Sequence, residues 1–237
     1  MLIMKKCIFL ITFLCSTYQI FAQKKWFSLY QDSIQLTKDA EKITTNFEND
    51  IKKISPTTKF SIKAVLNTTP YLIYYDNINI TANLPIWKQV IPQVKNFFYE
   101  VAGSEDEGRK AFGLFFNGFY LPHELGHAFQ DATNDSAVDL SYQNEYLANT
   151  IAILWWKKHK RNKELKLCYE YAKKMWAKLP NPVPKNMSED EYFTKNYIEA
   201  SSNPYTYGYM QFKQFIQIYE DKNLPKFDIY IKKYLGK

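Results

Sequence analysis

The stretch Leu121–Asp131, LPHELGHAFQD, contains two of the three histidines in this chain of 237 residues. Residues four apart project from nearly the same side of a helix, so His123 and His127 can bind one metal ion together. Glu124 is rotated about a quarter turn from the first histidine, where it can reach a water on the metal rather than the metal itself. The fold must therefore keep this segment helical and bring a further ligand to it.

The residues around this motif favour a buried helix with one irregularity. Leu125 and Ala128 supply an apolar side, and Gly126 allows another backbone to approach closely. Pro122 lacks a backbone donor, and its ring clashes with the carbonyl of the residue four positions earlier. We therefore expect a kink, or a fresh helix start, between Gly118 and Pro122.

A catalytic zinc site needs a third protein ligand and an open position. The third histidine, His159, lies in the basic run KKHKR and is predicted to face solvent. The extended pattern that supplies a third histidine needs Gly at position 130 and His at position 133, where this chain has Gln130 and Thr133. Glu145 is the better ligand candidate, and Asn149, one turn further on the same helix face, can orient a ligating histidine.

The motif HELGH, a loop, and a helix carrying NEYLAN together resemble the gluzincin metallopeptidases, which include thermolysin-like and aminopeptidase-like zinc enzymes. The resemblance covers residues 122–149. It implies that His123, His127 and Glu145 bind Zn²⁺, and that Glu124 acts as the general base.

The same resemblance implies three further features. Asn149 stands where these enzymes commonly have an aspartate that orients a ligand. A strand before the active helix, here Tyr71–Thr81, aligns an extended substrate along its edge. A tyrosine or histidine stabilises the developing oxyanion. The run NPYTYGYMQF offers Tyr205, Tyr207 and Tyr209, of which Tyr209 and Tyr205 are the candidates for this role, because a phenol donates a hydrogen bond without ionising.

The first residues, MLIMKKCIFLITFLCSTYQIFAQKK, have the layout of a secretory signal peptide. Lys5 and Lys6 form a positive region before the apolar core Cys7–Leu14, and cleavage is expected near Ala22. We predict a signal peptide over residues 1–23 and a secreted or periplasmic mature protein. The apolar run is too short to span a bilayer, so no transmembrane anchor is expected to remain.

Cysteine usage bears on both export and stability. A lipoprotein would use Cys15, but Phe13 and Leu14 are bulky where that processing prefers small residues. Without the signal peptide, Cys168 is the one remaining cysteine, so no internal disulfide can form. It lies in the helical pattern ELKLCYEYAKKMW and is predicted to be a packed core residue.

The formal charge of +7 is a mild basic excess that is spread through the chain. Its one local cluster, Lys157–Arg161, is typical of a solvated helix face. Nucleic-acid binding would require a recognisable module beside such a cluster, and the sequence contains none. We therefore expect no nucleic-acid partner, and we find no signal for an oligomeric state.

The pattern of apolar residues predicts an α+β fold, with a small N-terminal β-sheet region followed by a mainly helical zincin-like part. The predicted strands are Phe60–Val65, Pro70–Tyr75 and Asn77–Thr81, with a hairpin turn at Asp76–Asn77. The predicted helices cover residues 31–54, 86–102 with a kink at Pro92, 105–131, 141–160, 163–179, 189–200 and 204–219, before a short terminal helix. Residues 24–237 are expected to form a single metallopeptidase-like domain.

Three hypotheses follow from these patterns. The first is an exported zinc-dependent metallopeptidase that hydrolyses peptide bonds in a peptide or protein substrate. The second is a non-catalytic, zinc-containing binding or immunity-type module, suggested by the small size and the absence of a clear oxyanion donor. The third keeps the enzyme but replaces Glu145 by Asp135 or Asp139, as in metallopeptidases with an aspartate ligand.

Overall fold

The computed structural model describes residues 26–59, 61–133 and 141–237. Its helices are α1 (Ser33–Ile54), α2 (Pro92–Ala102), α3 (Glu105–Leu114), α4 (Tyr120–Thr133), α5 (Tyr142–Lys158), α6 (Asn162–Trp176), α7 (Glu189–Lys195), α8 (Tyr197–Ser202), α9 (Pro204–Glu220) and α10 (Phe227–Tyr234). Its strands are β1 (Lys63–Leu66), β2 (Tyr74–Asp76) and β3 (Thr81–Leu84). The predicted α+β fold, a small sheet followed by a mainly helical part, is confirmed. The signal peptide predicted over residues 1–23, and Asp135 and Asp139, lie outside the described residues.

Several helices begin at polar residues whose side chains accept hydrogen bonds from first-turn N–H groups, namely Asp32, Ser104, Ser141, Ser188 and Asn203. The kink predicted at Pro92 is wrong. A 3₁₀ turn over Trp87–Gln89 ends before it, and Pro92 is the first residue of α2. Its fixed φ suits this position, where a missing N–H breaks no helical hydrogen bond. None of the described helices is long and apolar enough to cross a membrane.

The sheet has the strand order β1–β3–β2, with β3 parallel to β1 and antiparallel to β2. The hairpin predicted between the second and third strands is confirmed, but its turn is longer than expected. The Asp76 carboxylate accepts hydrogen bonds from the N–H groups at positions 78 and 79. Residues 77–80 therefore form the turn rather than the predicted third strand, which begins only at Thr81. In the described part of the chain β2 pairs only with β3, and both strands contact α4.

The irregularity predicted before the motif helix is confirmed. A π-helical turn over Phe115–Phe119 separates α3 from α4, and Asn117 within it has φ −109° and ψ 25°. The polar groups of Asn117 have hydrogen-bond partners at this irregular turn. Its carbonyl accepts from the N–H of Phe27, and its side-chain amide donates to the carbonyl of Pro85. Pro122 follows in the first turn of α4, where its missing N–H removes no helical hydrogen bond.

The helices α4 and α5 cross at a point without bulky side chains. A Cβ added at Gly126 would lie 3.2 Å from Cα of Ala148, so a larger residue would push the two backbones apart. The close approach expected at Gly126 is therefore confirmed. This crossing brings the first turns of α5 beside the HELGH segment.

The helix predicted over residues 189–200 is interrupted, contrary to expectation. Asn196, at φ −113° and ψ 23°, separates α7 from α8. Its amide donates to the carbonyl of Tyr192 at 2.8 Å, which stabilises the break by completing the last turn of α7. The change of direction lets Tyr197, the first residue of α8, reach Glu145 on α5.

Two predictions about buried groups have opposite outcomes. Cys168 is fully buried with Sγ 3.6 Å from the carbonyl oxygen of Leu114, which confirms it as a packed core residue. The prediction that His159 faces solvent is wrong. Its ring packs on Trp155 with the centroids 4.1 Å apart, and Nε2 lies 2.7 Å from a carboxylate oxygen of Asp50.

Asp50 is a buried carboxylate that ties α1 to the end of α5. It accepts from Nε1 of Trp155 at 3.1 Å and lies 3.2 Å from Nζ of Lys158, in addition to its contact with His159. Burial alone would raise the pKa of Asp50, but the hydrogen bonds and charges of His159 and Lys158 outweigh it and lower the pKa. The carboxylate is therefore charged at neutral pH.

We expect Asp50→Ala to lower the free energy of unfolding by about 2–4 kcal/mol, because it leaves a buried indole N–H, the His159 ring and the Lys158 ammonium without their acceptor. Asp228→Ala is the matched control. It removes the half-exposed partner of the same lysine, Lys158, and should cost only about 0–1 kcal/mol. Urea unfolding at neutral pH measures both values, and equal losses would contradict a stabilising role for the buried carboxylate.

Candidate metal centre

The three predicted metal ligands come together where α4 crosses α5. Nε2 of His123 lies 3.1 Å from Nε2 of His127. Carboxylate oxygens of Glu145 lie 3.2 Å from the first nitrogen and 3.5 Å from the second. His123 and Glu145 are buried, and 12% of the His127 side chain is exposed. These donor atoms form one compact group that could hold a metal ion.

The spacing of these atoms is short enough for a shared metal ion. Donors placed about 2.0–2.1 Å from a tetrahedral Zn²⁺ are separated from one another by about 3.3 Å. The two histidine nitrogens lie 3.1 Å apart, and each contacts a different oxygen of Glu145, Oε2 at 3.2 Å from His123 and Oε1 at 3.5 Å from His127. Two imidazoles and one carboxylate are also donors that zinc accepts, and three of them leave a fourth position open.

Burial and neighbouring charges shift the pKa values in this group. Burial alone would raise the pKa of Glu145, but the charges and hydrogen bonds of His127 and His123 lower it well below its ordinary value. Burial alone would lower the pKa of His127, whereas the Glu145 carboxylate raises it. For Glu124 burial dominates and the pKa is raised. Glu145 is thus the permanently charged donor, and Glu124 is the more basic carboxylate.

Asn149 determines which nitrogen of His123 carries the proton. Its Oδ1 lies 2.9 Å from Nδ1 of His123, while its Nδ2 donates to the amide oxygens of Gln211 and Gln214, both at 2.9 Å. These bonds identify Oδ1 as the acceptor, so the proton of His123 lies on Nδ1. Its Nε2 is therefore free to bind a cation.

Sequence analysis did not identify Gln211 and Gln214, although they complete this network from α9. Gln211 donates to Oε2 of Glu145 at 2.5 Å, and Gln214 donates to the carbonyl of Tyr142 at 3.0 Å. Both side chains are buried and lie three residues apart on one helix face. Two amides at helical spacing in a run rich in aromatic and aliphatic residues are a usable signal, because buried polar groups require partners.

Glu124 and His123 both face a cavity of about 1040 Å³. The backbone N–H of Tyr75 on β2 donates a hydrogen bond to the Glu124 carboxylate. The hydroxyl of Tyr75 donates to Asp131 at 2.8 Å, which fastens β2 to α4. The motif glutamate, one candidate ligand and the edge of β2 therefore meet at the same cavity.

The two tyrosines proposed from the sequence as oxyanion donors are placed differently. Tyr205 lines the cavity, but its hydroxyl donates to Glu100 at 2.6 Å. Tyr209 is not among the residues that line the cavity, and its ring lies 5.8 Å from that of Trp176. Their catalytic roles stay predictions.

A tyrosine outside that pair contacts the candidate metal centre. The hydroxyl of Tyr197 donates to Oε1 of Glu145 at 2.5 Å, and the ring of Tyr207 lies edge-on to that of Tyr197 with the centroids 6.3 Å apart. Both line the cavity. Burial and the charge of Glu145 raise the pKa of each phenol, so both remain O–H donors at neutral pH. No sequence pattern indicated Tyr197, because the break at Asn196 is what directs it to the site.

Comparison with known proteins does not identify a relative. No match was found among the models of protein families, the curated proteins or the solved structures. The roles of the residues in this centre are therefore inferred from their positions and chemistry.

We expect the purified protein to bind one zinc ion per chain. Glu145→Ala removes a ligand, so it should weaken binding by more than the about 10–100-fold that loss of an outer hydrogen-bond partner costs. Asp139→Ala and His159→Ala should retain the parental affinity. Competition with a chelating dye measures all four proteins. A loss in Asp139→Ala without one in Glu145→Ala would assign the third ligand to the aspartate.

Proposed function

We propose that this protein is a zinc-dependent metallopeptidase of the gluzincin type that is exported and hydrolyses peptide bonds. One observation carries the proposal: the donor atoms of His123, His127 and Glu145 lie close enough together to hold one metal ion, and Glu124 beside them faces the same cavity as His123. Among the described residues this group has three members, the number a catalytic site uses, whereas a structural site uses four. The signal-like composition of residues 1–23 supports export.

In the proposed reaction, the metal ion and the side chains of the protein have separate roles. When bound, Zn²⁺ supplies Lewis acidity, which polarises a peptide carbonyl and lowers the pKa of water. His123, His127 and Glu145 would hold the ion, and Asn149 keeps Nε2 of His123 available for it. Glu124 accepts a proton from the attacking water and then delivers it to the leaving amine. Burial favours this exchange because it raises the pKa of the Glu124 carboxyl.

Tyr197 is the donor best placed to stabilise the developing oxyanion. Its hydroxyl lies next to the Glu145 carboxylate and borders the cavity, so a small rotation would direct it to a substrate oxygen. The ring of Tyr207 packs edge-on against that of Tyr197 and would help to hold it in place. The hydroxyl of Tyr205 is instead engaged with Glu100.

The edge of β2 is the element that would align a substrate. The N–H of Tyr75 donates to Glu124, so it points away from the partner strand β3. Tyr74 of β2 and Ile73, which precedes the strand, also line the cavity. An extended peptide would add to this edge through main-chain hydrogen bonds. Of the segment Tyr71–Thr81 that the sequence suggested, residues 71–74 line the cavity.

Glu124→Gln should keep the zinc and lose hydrolysis. The substitution preserves the shape of the side chain but removes the base, so kcat should fall about 100- to 10,000-fold. Cleavage of a mixture of internally quenched peptides, with metal analysis of the same samples, measures both properties. Full activity in this variant would contradict the role of Glu124. A parental protein that is loaded with zinc but cleaves nothing would favour the non-catalytic module.

Tyr197→Phe should lower kcat about 100- to 1,000-fold with a smaller change in KM, because it removes a hydrogen bond that forms to the oxyanion. Tyr219→Phe is the control, since Tyr219 stacks on Tyr169 and does not line the cavity. Zinc content is measured alongside, because Tyr197 also contacts Glu145. Equal rates for the two variants would remove Tyr197 from the mechanism.

A further inference from the structure

The cavity beside Glu124 has a largely apolar lining. Aromatic and aliphatic side chains from α2, α9 and the π-helical turn contribute to it, among them Val94, Phe97, Phe98, Phe116 and Phe212. Tyr71 and Ile91 also line it while remaining 66% and 40% exposed, so the apolar surface continues to the mouth. An occupant can therefore enter from solvent without crossing a charged rim.

Away from His123 and Glu124, the described lining of the cavity offers no counter-ion to a charged substrate side chain. Among the residues that the structure describes, these two are the lining residues with an imidazole or a carboxylate, and none in the lining is a lysine, an arginine or an aspartate. A substrate lysine or aspartate would lose hydration there without gaining a partner. A free chain terminus would meet the same cost, so an internal part of a peptide fits better.

The cavity also has room for large groups. Its volume of about 1040 Å³ is at the upper end of the range of about 300–1,000 Å³ that is usual for ligand pockets. Gly208 of α9 helps to keep this space, because a Cβ there would lie 3.3 Å from the ring of Phe97 and 3.7 Å from that of Phe212. The cavity is therefore larger than a single small side chain requires.

We propose that this cavity selects peptides with a bulky apolar residue, aromatic or long aliphatic, next to the bond that is cleaved. This inference rests on the proposed peptidase function, because Glu124 and His123, which would act on the reacting bond, are part of the lining. An apolar substrate residue binds because its apolar surface is buried in the cavity. A charged residue binds more weakly, because away from His123 and Glu124 the described lining offers it no counter-ion.

The test measures binding separately from cleavage. The zinc-loaded Glu124→Gln protein is titrated with acetylated and amidated hexapeptides that differ at one central residue in a glycine–serine background. That residue is phenylalanine, leucine, glycine, aspartate or lysine. The phenylalanine and leucine peptides should bind at least 10-fold more tightly than the other three. Equal affinity for all five peptides would overturn the inference.

A charge placed in the lining should reverse this preference. Val94 is half-buried, so Val94→Asp, made in the same Glu124→Gln protein, adds a carboxylate to the cavity at little cost to the core. It should weaken binding of the phenylalanine peptide about 10-fold and make the lysine peptide bind more tightly than in the parent. Asn96→Asp adds the same charge to the exposed face of α2, outside the cavity, and should change neither affinity. Identical effects of the two substitutions would contradict a site at Val94.

The outcomes also separate this inference from the proposed function. If the parental protein cleaves peptides but the five affinities are equal, the selectivity is wrong and the peptidase stands. If nothing is cleaved but the ranking holds and Val94→Asp reverses it, the cavity is an apolar binding site of a protein that is not a peptidase.

Discussion

The structure depends on the close contact between Gly126 of α4 and Ala148 of α5. Because a Cβ on Gly126 would lie 3.2 Å from the Ala148 backbone, only small residues allow the two helices to cross at this distance. Glu145 lies less than one turn before Ala148 on α5, and His123 and His127 lie on either side of Gly126 on α4. The separations of 3.2 and 3.5 Å between histidine nitrogens and the carboxylate follow directly from this contact.

Burying that carboxylate and two imidazoles is unfavourable unless their hydrogen-bonding groups are satisfied. The chain does this with neutral partners. Gln211 and Tyr197 donate to the two oxygens of Glu145, and Asn149 accepts from His123. A divalent cation would add two positive charges beside the two carboxylates of Glu145 and Glu124, which leaves the centre nearly neutral overall. A neutral amide at position 149, rather than an aspartate, is consistent with this balance.

Much of the centre was predictable from the sequence because its signals are local. Four-residue spacing places His123 and His127 on one helix face, and the same rule groups Glu145 with Asn149. Pro122 indicates the break before α4, and the structure has it over residues 115–119. These features depend on residues within one or two turns of one another, so helical geometry alone determines them.

The remaining features depend on contacts between distant parts of the chain. Tyr197 reaches Glu145 only because Asn196 interrupts a pattern that otherwise reads as one helix. The solvent-facing prediction for His159 failed because its partner, Asp50, lies on α1, 109 residues earlier. The apolar cavity is likewise assembled from α2, α9 and the segment before β2. No periodicity within one element carries that information.

Anomalous diffraction from crystals of the zinc-loaded protein, recorded on both sides of the zinc absorption edge, would locate the ion. We expect one zinc peak about 2.0–2.2 Å from Nε2 of His123, Nε2 of His127 and an oxygen of Glu145. The fourth position should open toward Glu124 and the cavity. A peak elsewhere in the molecule, or a fourth protein side chain that closes the coordination sphere, would contradict the proposed metal centre.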